Sequence, residues 1–310
     1  MEHYAVAIAV TAGIYALMAL GMNVIWGMAG LINLGLVGFF AVGAYVSGLL
    51  ALRLGTPIPM AMAAGAAAAS AFGVAVALIT VRLRGDYLAI VTLGFAETLR
   101  IVMSNELWIA NGTDGLSGIP GPFRGALAPH LFNFFYLGIV VAAVIVLFFL
   151  VDRLAHAPFG RVLRAIRDDE QIAQVAGKNV VVFKVKAFGF GTAALGLAGA
   201  FYGHFTSYIA PDLFAPLLTL YIKLSLLAGG LGNSMGAVLG AVLVVFFLES
   251  TRFIVPLIPG ITAVQGAALR ELMISVVLLL ILRFYAKGLM PERLEHPALP
   301  AEAAAASAQA

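Results

Sequence analysis

The sequence predicts an all-α polytopic membrane protein with about nine transmembrane helices, a count of about eight to ten being compatible with its hydropathy. Three observations carry that prediction. Of 310 residues, 62% are hydrophobic and only 11% charged, where a soluble domain carries about 25% charged residues. Mean hydropathy is +1.04, more apolar sequence than a soluble core can absorb while its surface stays wet. The apolar residues also recur in runs of about 20, the length a helix needs to cross the hydrocarbon core.

In order, the runs suggest helices near 5–26, 31–52, 57–80, 86–105, 131–151, 187–209, 213–229, 236–256 and 268–285. The opening MEHYAVAIAV has neither a basic leader nor a clear cleavage site, so its apolar run is expected to be retained. The Gly-rich run 27–38 leaves room for a broken or re-entrant segment. Gly35, Gly38, Gly43 and Gly48 punctuate the second helix, and Gly189, Gly191, Gly196, Gly199 and Gly203 the sixth. Lipid gives helices no hydrophobic reason to associate, so small residues that let backbones approach do much of the packing. The runs GMAGLINLGLVGFFAVGAY and GGLGNSMGAVLGAVLV are faintly alike. Residues 106–130 are too polar to span. Their NGTDGLSGIPGP is dense in turn formers, and this outer loop offers Asn111, Thr113, Asp114 and Ser117 as polar candidates. Residues 291–310 have no apolar face to bury and are expected to be a disordered tail, leaving 1–290 as the transmembrane domain.

The net charge is +3 and the pI about 9.2. In a membrane protein, cations kept in cytoplasmic loops explain this without a nucleic-acid partner. With the N-terminus outside, twelve of the eighteen Lys and Arg fall on the inner side. They are Arg82, Arg84, Arg153, Arg283, Lys287, Arg293 and the six of 160–186. Arg53, Arg124 and Arg270 fall outside, and Arg100, Lys223 and Arg252 within spans. This asymmetry places the loop 152–186 and the C-terminus in the cytoplasm.

Patterns of catalysis are missing. There is no GxxxxGK[ST] phosphate loop, the five histidines have no metal-ligand spacing, and there is no cysteine. The chain therefore reads as a non-enzyme with no cofactor or metal of its own. Nucleotide energy, if used, is expected to be supplied by another chain.

Ionisable residues within spans are costly and draw attention. Glu97 and Arg100 share a face of the fourth span, Thr92 is a further polar candidate in that span, and Glu249 and Arg252 repeat the spacing in the eighth. Lys223 stands near the centre of the seventh, with Glu249 or Glu97 as its expected counter-charge. These groups read either as a polar path through the bundle or as internal salt bridges that hold helices together.

The longest polar stretch is GRVLRAIRDDEQIAQVAGKNVVVFKVK, 160–186. Val162, Leu163, Ile166, Ile172, Ala173 and Ala176 recur at near-helical spacing among charges. Pro158 and Gly160 precede the run, and Gly177 and Asn179 end it. One short amphipathic helix is expected over 161–176. It could rest on lipid, cap the bundle or dock into a partner. Asp168, Asp169 and Glu170 would be repelled by anionic headgroups, which favours docking.

Three ordered motifs, GDYLAIVTLGFAETLRIVMSN (85–105), NGTDGLSGIP (111–120) and RAIRDDEQIAQVAGKNV (164–180), closely resemble the branched-chain amino acid ABC-importer permeases, M-type subunit. AGLINLGLVGFFAVGAY (29–45) and LAGGLGNSMGAVLGA (227–241) fall where that family has its own glycine runs. The resemblance extends to about residue 290. It implies a bacterial inner-membrane subunit paired with a second, related permease, with two cytoplasmic ATPases that bind the ATP and a periplasmic solute-binding protein. It also implies that 160–179 is the coupling segment gripped by the ATPases: Arg161, Arg164, Arg167, Asp168, Asp169, Glu170, Gly177 and Asn179, with Glu170 and Gly177 in its core. The chain departs from the family at Leu36 and Val37, where a histidine is common, at Lys223, and at Gly232-Asn233-Ser234-Met235-Gly236-Ala237. These departures bear on the cargo: branched-chain or other hydrophobic amino acids lead, with urea, short amides or another small polar solute as the alternative. An ion-coupled secondary transporter is the reading from a different class.

Overall fold

In the computed structural model, residues 2–80, 82–83, 85–125, 128–254, 262–284 and 288–292 are described. Seven helices among them are long and apolar enough to cross a membrane. The first, α1 (Glu2–Met22), runs on through a π-turn, Asn23–Met28. After an irregular stretch at 29–35 come α2 (Leu36–Arg53), α3 (Ile58–Thr80) and α4 (Gly85–Asn105). The short α5 (Leu107–Ala110) opens a loop, and α6 (Pro129–His156) follows. Two polar helices, α7 (Pro158–Asp168) and α8 (Glu170–Val175), lead into α9 (Val180–Thr206). Last come α10 (Pro216–Gly229), α11 (Ser234–Ile254) and α12 (Ala263–Phe284).

The seven spans, with α10 and α12, stand at the nine places the hydropathy suggests. The boundaries differ for local reasons. α9 starts at Val180 rather than 187, because the Asn179 side chain accepts from Val182 N and caps it. α10 has 14 residues, about 21 Å of helix against a core of about 30 Å. It is fed by a 3-10 turn, Pro211–Phe214, and ends at Gly230 (φ 121°). The run 27–38 adds no crossing: it holds the π-turn and the irregular stretch, with Gly30 at φ 69°. Irregular backbone in such a bundle persists only where protein or water satisfies it, and here Ala29, Leu31, Asn33 and Gly35 are all buried. Leu34 N donates to Thr92 Oγ1 and Gly35 N to Asn33 Oδ1. The two glycine runs that look alike both fall at helix breaks.

The core lies where α9 meets α1, α2 and α3. A Cβ on Gly65 would come 2.6 Å from the Gly43 carbonyl oxygen, and one on Gly21 would come 2.7 Å from that of Gly191. These backbones touch because no side chain separates them. Around the perimeter, α6 exposes Leu131, Phe134, Val141, Ile145 and Phe149, and α11 exposes Val242, Leu243 and Phe246. In water such a surface would aggregate; in a bilayer it is a lipid face. This is a multi-pass membrane protein.

The connections sort to two ends. At one, Arg53 Nη2 donates to Trp108 O (2.7 Å), and β1 (Leu116–Ser117) pairs antiparallel with β2 (Tyr208–Ile209). At the other lie α7, α8, the irregular stretch 29–35, the break 230–233 and the strap 288–292. The strap matters for the tail boundary drawn at residue 290. Asn233 Nδ2 donates to Pro291 O (3.4 Å), and Glu292 is tied by charge to α7, so the packed unit runs to Glu292. Residues 293–310 lie outside the described residues.

Candidate functional site

The polar segment folds as two helices, not one. Asp169 takes an extended conformation (φ −153°, ψ 109°) and its carboxylate accepts from Gln171 N (2.8 Å) and Ile172 N (3.0 Å). Aspartate competes with the backbone for its own hydrogen bonds, so it starts a new helix better than it continues an old one. Gly177 closes α8 at φ 75°, with Gly177 N bonded to Gln174 O and Lys178 N to Ala173 O. That pair of bonds is a Schellman ending, and it needs the left-handed conformation glycine adopts without strain.

The break at Asp169 changes which residues face out. In α7, Leu163 and Ile166 are buried; Ile166 packs with Ala173, Val180 and Phe183. In α8, however, Ile172 is 68% and Val175 90% exposed. The apolar spacing of the sequence groups Ile172 with the others. Instead an apolar pair stands at the tip of the bundle.

The charged residues divide. Arg161 and Asp168 are exposed, while Arg164 and Arg167 turn inward to Glu292. Glu170 meets the buried Lys184 Nζ at 2.6 Å. Asp169, Gly177 and Asn179 serve as helix ends. Gly160 allows the turn from α6 into α7, where a Cβ would collide with the Leu154 and Ala155 carbonyls.

Within the bundle, Glu97 pairs with Arg100, whose Nε lies 3.0 and 3.1 Å from the two carboxylate oxygens. Arg100 also faces Asp212 at 3.8 Å. Glu249 accepts from the Tyr4 hydroxyl at 2.5 Å; the Arg252 side chain lies outside the described residues. Lys223 stands 5.0 Å from the centre of the Trp26 ring, a cation–π contact. Of its expected counter-charges, Glu97 is bound by Arg100 and Glu249 by Tyr4. Thr92 is buried and serves the backbone, accepting from Leu34 N and donating to Ala89 O.

In the loop at the opposite end, Asn111 is left-handed (φ 59°) and its amide reaches Gly115 O at 3.4 Å. Thr113, Asp114 and Ser117 are exposed. The loop is anchored by residues that spacing alone passed over. His204 is buried, with Nδ1 2.6 Å from Pro120 O and Nε2 2.8 Å from Ser47 Oγ. A carbonyl only accepts, so Nδ1 carries the proton and Ser47 donates to Nε2. Glu292 and Asp212 also went unnoticed in the sequence, because their partners are far away along the chain. No cluster of metal-ligating side chains occurs among the described residues.

Residues 4–282 match the family described as branched-chain amino acid transport system / permease component. The chain belongs to that family. As a member of it, this permease is 32% identical over 261 residues to the high-affinity branched-chain amino acid transport system permease protein LivM of Salmonella typhimurium. It is 31% identical over the same length to the protein of that name from Escherichia coli. Each alignment covers 77% of this chain and 61% of the relative, so the permease spans about three fifths of those proteins. A probable branched-chain amino acid transport permease protein LivM of Methanocaldococcus jannaschii is 28% identical over 91% of both chains. No solved structure matches significantly.

Proposed function

We propose that this permease is the membrane-spanning subunit of an ABC importer that moves branched-chain or other hydrophobic amino acids across a bacterial inner membrane. Its α7–α8 end lies in the cytoplasm, where two ATPases grip it. A second, related permease and a periplasmic binding protein complete the machine. The observation that carries this reading is the outward pair Ile172 and Val175 on a helix pinned at both ends. An exposed apolar pair on a rigid, otherwise polar projection is built to enter a groove on a soluble partner. ATP-driven closure of the ATPases would move that projection, and the bundle would rock between outward and inward access. The names of the relatives support the cargo.

The polar path is assigned to Glu97, Arg100 and Lys223, with Asp212 beside Arg100. The Glu97 and Arg100 side chains are 36% and 29% exposed. A half-exposed ion pair turned to lipid is costly, which favours water or the second permease beside it. The test is uptake into proteoliposomes holding this chain with two ATPase subunits, a second permease and a binding protein from the same genome. Leucine, isoleucine and valine uptake should require ATP and all the subunits. Uptake by this chain alone, driven by an ion gradient, would overturn the reading.

A further inference from the structure

The inward-facing charges of α7 close a circuit with both helix breaks. Arg167 Nη1 donates to Gly27 O at 2.5 Å, in the π-turn after α1. Its stem packs so tightly on the next glycine that a Cβ on Gly30 would lie 2.8 Å from Arg167 Cγ. Arg167 Nη2 meets Glu292 Oε2 at 2.9 Å, and Arg164 Nε faces Glu292 Oε1 at 3.7 Å. Glu292 arrives on the strap 288–292, whose Leu289 and Met290 N–H groups bond to Ala228 O (2.9 Å) and Gly229 O (2.8 Å). Those carbonyls would otherwise be left open at the end of α10. The carboxylate then lies against Gly232, where a Cβ would come 2.7 Å from it. Gly232 N donates to Asn23 Oδ1 at 2.9 Å, back on the π-turn four residues before Gly27.

The loop thus runs Arg167, Glu292, Gly232, Asn23, Gly27 and back to Arg167. It ties α7 to the α1–α2 break and the α10–α11 break at once. Irregular backbone is where a helix bundle can bend, since it has no continuous hydrogen-bond ladder to break. We propose that Arg167 and Glu292 are positioning residues that transmit movement of α7 to these two breaks, making the strap 288–292 part of the coupling machinery. The inference rests on the reading of α7–α8 as the ATPase-docking projection. The charges of Arg167 and Glu292 are spent on Gly27, Asp168, Arg164 and each other, whereas the exposed pair Ile172 and Val175 is apolar, so binding of the ATPases and transmission from them are separable.

The experiment uses the complete importer in proteoliposomes and reads solute moved per ATP hydrolysed, a ratio independent of how much complex has folded. Glu292→Gln keeps the size of the side chain and removes its charge. It should leave ATPase capture unchanged and lower the ratio roughly tenfold, the scale of one lost charge-assisted hydrogen bond. Arg167→Gln should also lower the ratio, and the ratio of the double variant should be no lower than that of either single, as expected for one linkage. Glu292→Asp, with the charge withdrawn by one methylene, should give an intermediate ratio and serves if the glutamine variant does not assemble. A wild-type ratio in Glu292→Gln or in Glu292→Asp, or strictly additive losses in the double variant, would overturn the proposal while leaving docking intact. Loss of ATPase capture in Glu292→Gln would equally overturn it, since the clamp would then shape the docking face. If instead the Ile172 and Val175 variants retained the ATPases, the docking reading itself would fail.

Discussion

Truncating the apolar pair at the tip, Ile172→Ala with Val175→Ala, tests the docking face most directly. Burying a whole Ile or Val side chain contributes about 1.5–3 kcal/mol. Ile172 is 68% and Val175 90% exposed, so most of that gain is still available to a partner. Allowing for the methyl groups alanine retains, the pair should lose about 2–3 kcal/mol of binding, roughly 30- to 150-fold in dissociation constant. The fold should not suffer, because alanine is the strongest helix former and neither side chain fills the core. The assay titrates the ATPase subunits onto the two permeases in nanodiscs and follows thermal unfolding of the same particles. An unchanged dissociation constant at an unchanged melting temperature would refute the reasoning.

Asp169→Ala should cost about 1 kcal/mol at α8, the usual value of a lost N-cap, seen as faster amide exchange across 170–175 with the rest of the bundle unaffected. Glu170→Gln should destabilise the protein more than Lys184→Met, by about 1–2 kcal/mol in a denaturant titration. The first leaves a buried ammonium unpaired, and the second removes it. Gly199→Val should prevent assembly, because its Cβ would fall on the Phe40 carbonyl at the α2–α9 contact. Recovery of a monodisperse, folded Val variant would contradict that contact. Lys223→Met should impair uptake in the assembled importer; full uptake would make the Lys223–Trp26 contact packing alone.

Hydropathy located the helices well because membrane insertion depends on a local sum over about 20 residues. The glycines of α2 and α9 were likewise legible as packing residues, since a missing side chain means the same thing in any bundle. The polar segment was legible as helical but not as broken. Its spacing from Val162 to Ala176 fits one helix, and only the Asp169 carboxylate, spent on Gln171 N and Ile172 N, divides it. Ile172, grouped with the apolar residues by that spacing, is 68% exposed. The ion pairs were legible only when close in sequence. Glu97 and Arg100, three residues apart, were found; Glu170 with Lys184 and Arg167 with Glu292 were not.

What the sequence determined by itself was the solvent: a chain this apolar belongs in a bilayer, in helices, with one long polar segment at an end. Each of those properties adds up from near neighbours along the chain. The tertiary structure decided which charges turn inward, which apolar pair turns outward, and that the strap 288–292 joins the two helix breaks to α7. Those outcomes depend on groups separated by up to 209 positions, as Asn23 and Gly232 are, and no local pattern encodes a meeting that only folding brings about.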